Sequence, residues 1–177
     1  MELKIPFIIL KDVSVGPLGD TNSNIVARHI AIEIILNLLI GKSSKLYKKL
    51  YETETIMSEP VLEYEYGETY SHIAISGQSK KPKKILEELK KEINKLKEKG
   101  ISEEDFTRTK NMIYGNTIKE FNNVSDICRM FMSDYFKGIN SFEYIEEISN
   151  INIETVQSIL NEVFKEDRVV ISIVKGK

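Results

Sequence analysis

The chain has 177 residues, 41% of them hydrophobic and 29% charged, with 25 lysines and arginines against 27 acidic residues. This is the profile of one globular domain large enough to bury a core without covalent staples. The near-balance of charge lacks the basic excess of a nucleic-acid binder, and a single cysteine, Cys128, excludes an internal disulfide or a cysteine-rich zinc knuckle.

No apolar run has the length of a membrane span: Ile30 to Ile40 is interrupted by Glu33 and Asn37. Ile5 to Leu10 is too short for the hydrophobic region of a signal peptide. The expectation is a cytoplasmic protein with neither membrane nor nucleic acid as partner. The chain opens directly on a strand-like run, which suggests that Met1 begins a fragment of a longer chain.

Leu3 to Asp12, "LKIPFIILKD", reads as a strand, and Val15 to Asn24 as a loop rich in Gly, Asn and Asp. "NIVARHIAIEIILNLLIG" is apolar at helical spacing around most of its circumference, so it predicts a helix buried on more than one side. Ser23 or Asn24 can cap its start, and Gly41 stands where a left-handed closing residue belongs. Ser43 and Ser44 can cap a second helix, "KLYKKLYETE".

Two strands follow, "EPVLEYEYGE" and "TYSHIAISGQ", with a hairpin turn at Gly67 to Thr69. Leu62, Tyr64 and Tyr66 share one face of the first, and Glu63 and Glu65 the other. Lys81 to Gly100 predicts an amphipathic helix with Pro82 near its start and a core stripe of Ile85, Leu89, Ile93 and Leu96. "SEED" (Ser102 to Asp105) resembles a capping box opening a long helix to about Asn122. Helices near Ser125 to Phe136, Phe142 to Ser149 and Ile153 to Phe164 precede a last strand, "RVVISIVKG". The order predicts an α+β domain of two layers, an antiparallel or mixed sheet with helices on one face.

The triplet Gly41-Lys42-Ser43 resembles the end of a phosphate loop. Such a loop needs a glycine five positions earlier and a preceding strand. Leu36 and a helix occupy those places, so Gly41 is read as a helix stop. His29 and Glu33, four apart, share a helix face and could share a metal, but zinc takes three or four protein ligands. Neither H-E-x-x-H nor H-x-x-E-H occurs in the sequence. His72 lies mid-strand beside tyrosines. Glu63, Glu65 and Glu68 form an acidic cluster read as an outward strand face. Cys128 is expected to pack with Met132 on an apolar helix face, and Tyr47, Leu50 and Tyr51 to serve core or interface.

The succession "AIEIILNLLIGKSSKLYKKLYE", "YEYGETYSHIAISG" and "ISEEDFTRTKNMIYGNTIKEFNNVSDI" resembles a domain of the pitrilysin/insulinase zinc metallopeptidases, which include the mitochondrial processing peptidases. It is most similar to a non-zinc-binding domain in the C-terminal half of small bacterial members. The likeness covers nearly the whole chain and implies a processing-peptidase-like fold. It also implies that the zinc sits on an H-x-x-E-H helix of a different domain, so that this chain holds no cofactor and no catalytic residue. The zinc-bearing domain, in the same parent protein or a paralogous subunit, is the implied partner, and a peptide the implied substrate, added as a strand to a sheet edge inside a closed chamber. Active members carry an Arg and, seven residues later, a Tyr after the Gly-x-Ser-Ser turn. Tyr51 and Ser58 occupy those places here and are carried over as chamber-facing, substrate-binding candidates by position alone. The same resemblance admits a non-catalytic scaffold or interaction module. A small-ligand enzyme of unrelated α+β type would require a deep pocket of convergent polar groups.

Overall fold

The computed structural model describes residues 5–12, 25–66, 70–137, 139–165 and 169–174. The loop read at 15–24, the hairpin turn at 67–69 and Glu68 lie outside them. The described elements run β1 (Ile5–Asp12), α1 (Ile25–Ile40), α2 (Lys45–Glu52), β2 (Val61–Tyr66), β3 (Ser71–Ser79), α3 (Pro82–Lys99), α4 (Glu103–Glu120), α5 (Val124–Phe136), α6 (Glu143–Asn150), α7 (Ile153–Val163) and β4 (Val169–Ile173). Each predicted element is present, with ends within a few residues of those expected.

The sheet has the order β2-β3-β1-β4, with every pairing antiparallel. The first and last described strands are therefore neighbours, and among the described residues β2 is an edge strand bonded to β3 alone. Tyr64 pairs with Ile73 and Tyr66 with Ser71. Paired residues share a face, and these four are buried against the helices, whereas Glu63 and Glu65 are exposed. The strict alternation read in the β2 sequence is what the pleat requires of a strand buried on one side.

Helix α1 is the centre of the helical layer. Eleven of its sixteen residues are buried, among them Ile32, Ile34, Ile35, Leu39 and Ile40 at 0% exposure. It packs on α2, α3, α4, α6, α7 and β2, which explains an apolar circumference with no polar stripe. The buried Arg28 sits within this helix, and its guanidinium donates to Glu162 Oε1 of α7 at 2.9 Å. Of the expected α3 stripe, Ile85 and Leu89 are buried and Ile93 and Leu96 pack against the core from its margin. No helix among the described residues is long and apolar enough to cross a membrane.

Capping follows the sequence closely. Ser44 Oγ accepts from the Tyr47 amide at 3.0 Å. At the "SEED" box the Asp105 amide donates to Ser102 Oγ at 3.2 Å, and that hydroxyl donates to the Asp105 carboxylate at 2.8 Å. One expectation is corrected. Gly41 does not adopt a left-handed conformation; among the described glycines Gly100 does, at φ 77°. Gly41 is required instead by crowding, since a Cβ there would lie 2.6 Å from the Asn37 carbonyl oxygen and 2.9 Å from Asn37 Cα. Its amide closes α1 by donating to that carbonyl at 3.0 Å.

Two glycine substitutions separate these causes. Gly41→Ala forces helix backbone aside and is expected to lower unfolding free energy by about 1–3 kcal/mol. Gly115→Ala, in the interior of α4 with nothing beyond its own helix turns within 4 Å of the new Cβ, is expected to stabilise by up to about 1 kcal/mol. Urea titrations of both variants against the parent chain check the pair.

Candidate functional site

A cleft of about 970 Å³ opens beside β2, bounded by α1, the approach to β2, α4, α5 and Tyr144 of α6. Leu62, Glu63, Tyr64 and Glu65 all line it. Successive strand residues point to opposite faces of a sheet. Four in a row can border one cavity only where it runs along the strand's edge, and this edge has no strand partner among the described residues.

At the floor His29 of α1 is enclosed by three tyrosine rings. Tyr64, Tyr66 and Tyr144 meet it edge-on at centroid distances of 5.6, 5.6 and 5.5 Å. Nδ1 shares a hydrogen bond with the Tyr144 hydroxyl at 2.9 Å, and that hydroxyl lies 3.2 Å from Tyr66 Oη. The ammonium of Lys137, just past α5, stands 4.3 Å from the centre of the Tyr66 ring, a cation–π contact. Burial, and then the charge of Lys137, push His29 down to about 4. The imidazole is neutral near pH 7 and a weak base.

Carboxylates surround this floor. Glu33, Glu59, Glu63, Glu65, Glu120, Asp126 and Asp134 line the cleft, against the cations Arg129 and Lys137. Burial, followed by the charge of Glu120, pushes Glu33 up to about 7. Glu120 is itself raised, first by burial and then by Asp126 and Asp134. Arg129 pairs with Asp126 on its own helix, and Asp134 accepts from Ser141 Oγ at 2.7 Å. Burial makes the ionised state of Glu33 and Glu120 costly, and the neighbouring like charges add to that cost.

These residues do not suit zinc. Among the described residues no three of His, Cys, Asp and Glu gather as a ligand set, and His29 spends Nδ1 on Tyr144. His29 and Glu33, paired in the sequence as possible co-ligands, instead belong to an aromatic cage and an acidic wall. Tyr51 lies on the last turn of α2, 55% exposed and stacked on Tyr47 at 5.9 Å. Ser58 is exposed in the segment before β2, and the cleft lining begins at the next residue, Glu59. His72 stacks on Tyr70 at 6.2 Å. Cys128 is exposed and Met132 is 61% exposed, which corrects the expectation that they pack: α5 turns that side outward. Tyr144, Lys137, Asp134 and Glu120 were missed in the sequence. No local pattern marks them, because Tyr144 lies 115 positions from the histidine it bonds.

Residues 22–113 match the family described as Peptidase M16 inactive domain, and the chain belongs to that family. It is 25% identical over 151 residues to the uncharacterized zinc protease YmfH of Bacillus subtilis (strain 168), covering 83% of this chain and 34% of that protein. The chain thus spans about a third of the length of the curated relative it matches. Among solved structures it superimposes on an M16-like protein from Alicyclobacillus acidocaldarius, with TM-score 0.84, 19% identity, and 99% of this chain and 41% of that one covered. It also superimposes on the inactive peptidase domain of a Bordetella parapertussis protein, with TM-score 0.78, 11% identity, and coverage of 100% and 93%. At such identities these likenesses speak for the fold. The family resemblance carried by the Gly-Lys-Ser-Ser turn and the "SEEDF" helix is borne out.

The raised Glu33 carboxyl has a consequence for stability. A folded-state value of about 7, against 4.5 unfolded, means its contribution is fully present below pH 4.5 and is lost as pH rises through 7. Glu33→Gln removes that loss. The variant is expected to gain on the parent by about 1–3 kcal/mol between pH 5 and pH 8, read from paired urea melts at each pH. Parallel profiles for the two chains would refute the assignment.

Proposed function

We propose that this chain forms a zinc-free wall of a peptide-binding chamber and takes part in proteolysis only beside a zinc-bearing domain, in the same parent protein or a paralogous subunit. The observation that carries this reading is the cleft along the free edge of β2 in an M16 inactive domain. Such an edge offers unpaired amides and carbonyls to an extended peptide, which would add as a further strand. A zinc held by the partner domain would supply an activated water for attack on the peptide bond. This chain's share is to hold and align the peptide. Tyr51 and Ser58, exposed before β2, are proposed to meet the substrate where it enters the cleft. They replace the arginine and tyrosine expected of active relatives, so their contribution is contact rather than a charge clamp.

A second reading is a scaffold or interaction module of the same family. It is favoured by the apolar side of α5, where Val124, Met132, Tyr135 and Phe136 are 76%, 61%, 79% and 79% exposed. Exposed apolar groups concentrated on one helix are unusual for a surface that meets only water.

Cleavage assays with fluorogenic peptides, with and without added zinc, test the first reading. The purified chain is expected to be inactive alone, and addition of the H-x-x-E-H domain from its parent protein to restore cleavage that a chelator abolishes. Chelator-sensitive cleavage by the chain alone would overturn the division of labour. A stable complex without cleavage would favour the scaffold.

A further inference from the structure

Helix α5 is the least anchored element of the described fold. Every other described helix and strand packs closely along a neighbour, and α5 along none. Of its 13 residues Asp134 alone is buried. What holds it lies toward its C-terminal end. Asp134 accepts from Ser141 Oγ at 2.7 Å, Phe131 meets Phe142 edge-on at 5.2 Å, and Lys137 stands over the Tyr66 ring at 4.3 Å. Its other end joins α4 through Asn122 and Asn123, both exposed. A helix tethered near one end and little packed along its length can swing as a rigid body about short connections.

The space open to that swing is the cleft. Met130 of α5 lines it together with Leu36 of α1 and Met112 of α4. Drawing the helix in would bring these apolar groups together and remove surface from water. Charge opposes the step. Glu33 of α1 and Glu120 of α4 line the same gap as Asp126 and Asp134 of α5. Glu33 feels the charge of Glu120, and Glu120 that of Asp126 and Asp134, so like charges run from α1 across to α5.

The other groups facing Glu33 do not cancel this repulsion. Arg129 is held by Asp126 on its own helix, and Lys137 by the Tyr66 ring. Glu59, Glu63 and Glu65 are exposed at the β2 rim, where solvent and salt screen them. Above about pH 4 His29 is neutral, and burial keeps Tyr144 a neutral phenol. Among the described residues α2, α3 and α7 add nothing to the lining.

We propose that α5 is a lid on the cleft beside β2, open while Glu33 and Glu120 are ionised and drawn in toward α1 and α4 when Glu33 takes up a proton. Neutral Glu33 drops out of the repulsion, and its hydroxyl can donate to a carboxylate that its charge would repel. The Glu33 carboxyl, raised to about 7 first by burial and then by Glu120, puts the lid in on the acid side of neutrality and out on the alkaline side.

The chain's single cysteine, Cys128, is exposed on α5. Ser58 is exposed beside Glu59, where the lining of the other rim begins. Spin labels at Cys128 and at Ser58→Cys in the full chain report the gap by double electron–electron resonance. Their mean separation is expected to shorten by about 2 Å or more from about pH 8.5 to about pH 5.5, with its midpoint near pH 7. Glu33→Gln is expected to give the short separation throughout. Glu120→Gln, at an exposed position, removes a charge that raises Glu33 and is expected to lower the midpoint; it decides the matter should Glu33→Gln fail to fold. A separation unchanged with pH in the parent chain, or one that lengthens on the acid side, would overturn the lid. A pH-dependent shift that survives Glu33→Gln, or a midpoint that Glu120→Gln leaves in place, would overturn Glu33 as its trigger.

Discussion

Helix α1 hides eleven of its sixteen residues, and the other layers are arranged to keep water from it. Burying a large aliphatic side chain is worth about 1.5–3 kcal/mol, so a helix with Ile32, Ile34, Ile35, Leu39 and Ile40 wholly enclosed dominates the energetics of the domain. That demand fixes the architecture. An apolar circumference needs partners on every side, and β2 of the sheet with α2, α3, α4, α6 and α7 supplies them. Arg28 is the exception in this apolar company, and it is tolerated through its bond to Glu162 at the edge of α7.

The cleft is a by-product of the same packing. Where α1 passes β2, its surface is no longer fully covered, and His29, Glu33, Leu36 and Asn37 face the gap. Groups on the rim of a core are partly desolvated without being sealed, which is the setting that moves pKa values. The histidine loses its charge to burial and the lysine nearby, and the glutamate is driven toward protonation by burial and by Glu120. The tyrosine cage keeps the imidazole in place. The shape and the electrostatics of the cleft thus come from one feature, an edge strand next to an incompletely covered helix.

Much of the fold was legible in the chain. The alternation in "VLEYEY", the aliphatic run of α1, the stripe of α3 and the serine caps at Ser44 and Ser102 each encode local geometry by residue type and spacing. The family was legible too, from a turn and a helix that are specific only in combination. The site was much less so. His29 and Glu33 could be singled out as a pair, but their surroundings come from β2, α4, α5 and α6, and nothing at helical or strand spacing joins them. Cys128 and Met132 show the reverse failure. Their spacing fits a buried face, yet α5 presents them to solvent, because periodicity says which residues share a side and not which way that side turns.

What the sequence by itself determined was therefore short-range: which segments coil, which extend, where they begin, and that none of them carries the zinc motif of an active relative. The physical reason is that hydrogen-bond geometry and side-chain periodicity repeat within a few residues. Tertiary structure alone decided that β2 lies at the edge of the sheet, that Tyr144 reaches back to His29, and that carboxylates from three helices and a strand collect in one groove. Those outcomes depend on how elements distant in the chain share the burial of α1. Gly41 shows the boundary between the two: its place at the end of a helix was written in the sequence, but its reason, the Asn37 carbonyl pressed against where a Cβ would stand, is a matter of packing.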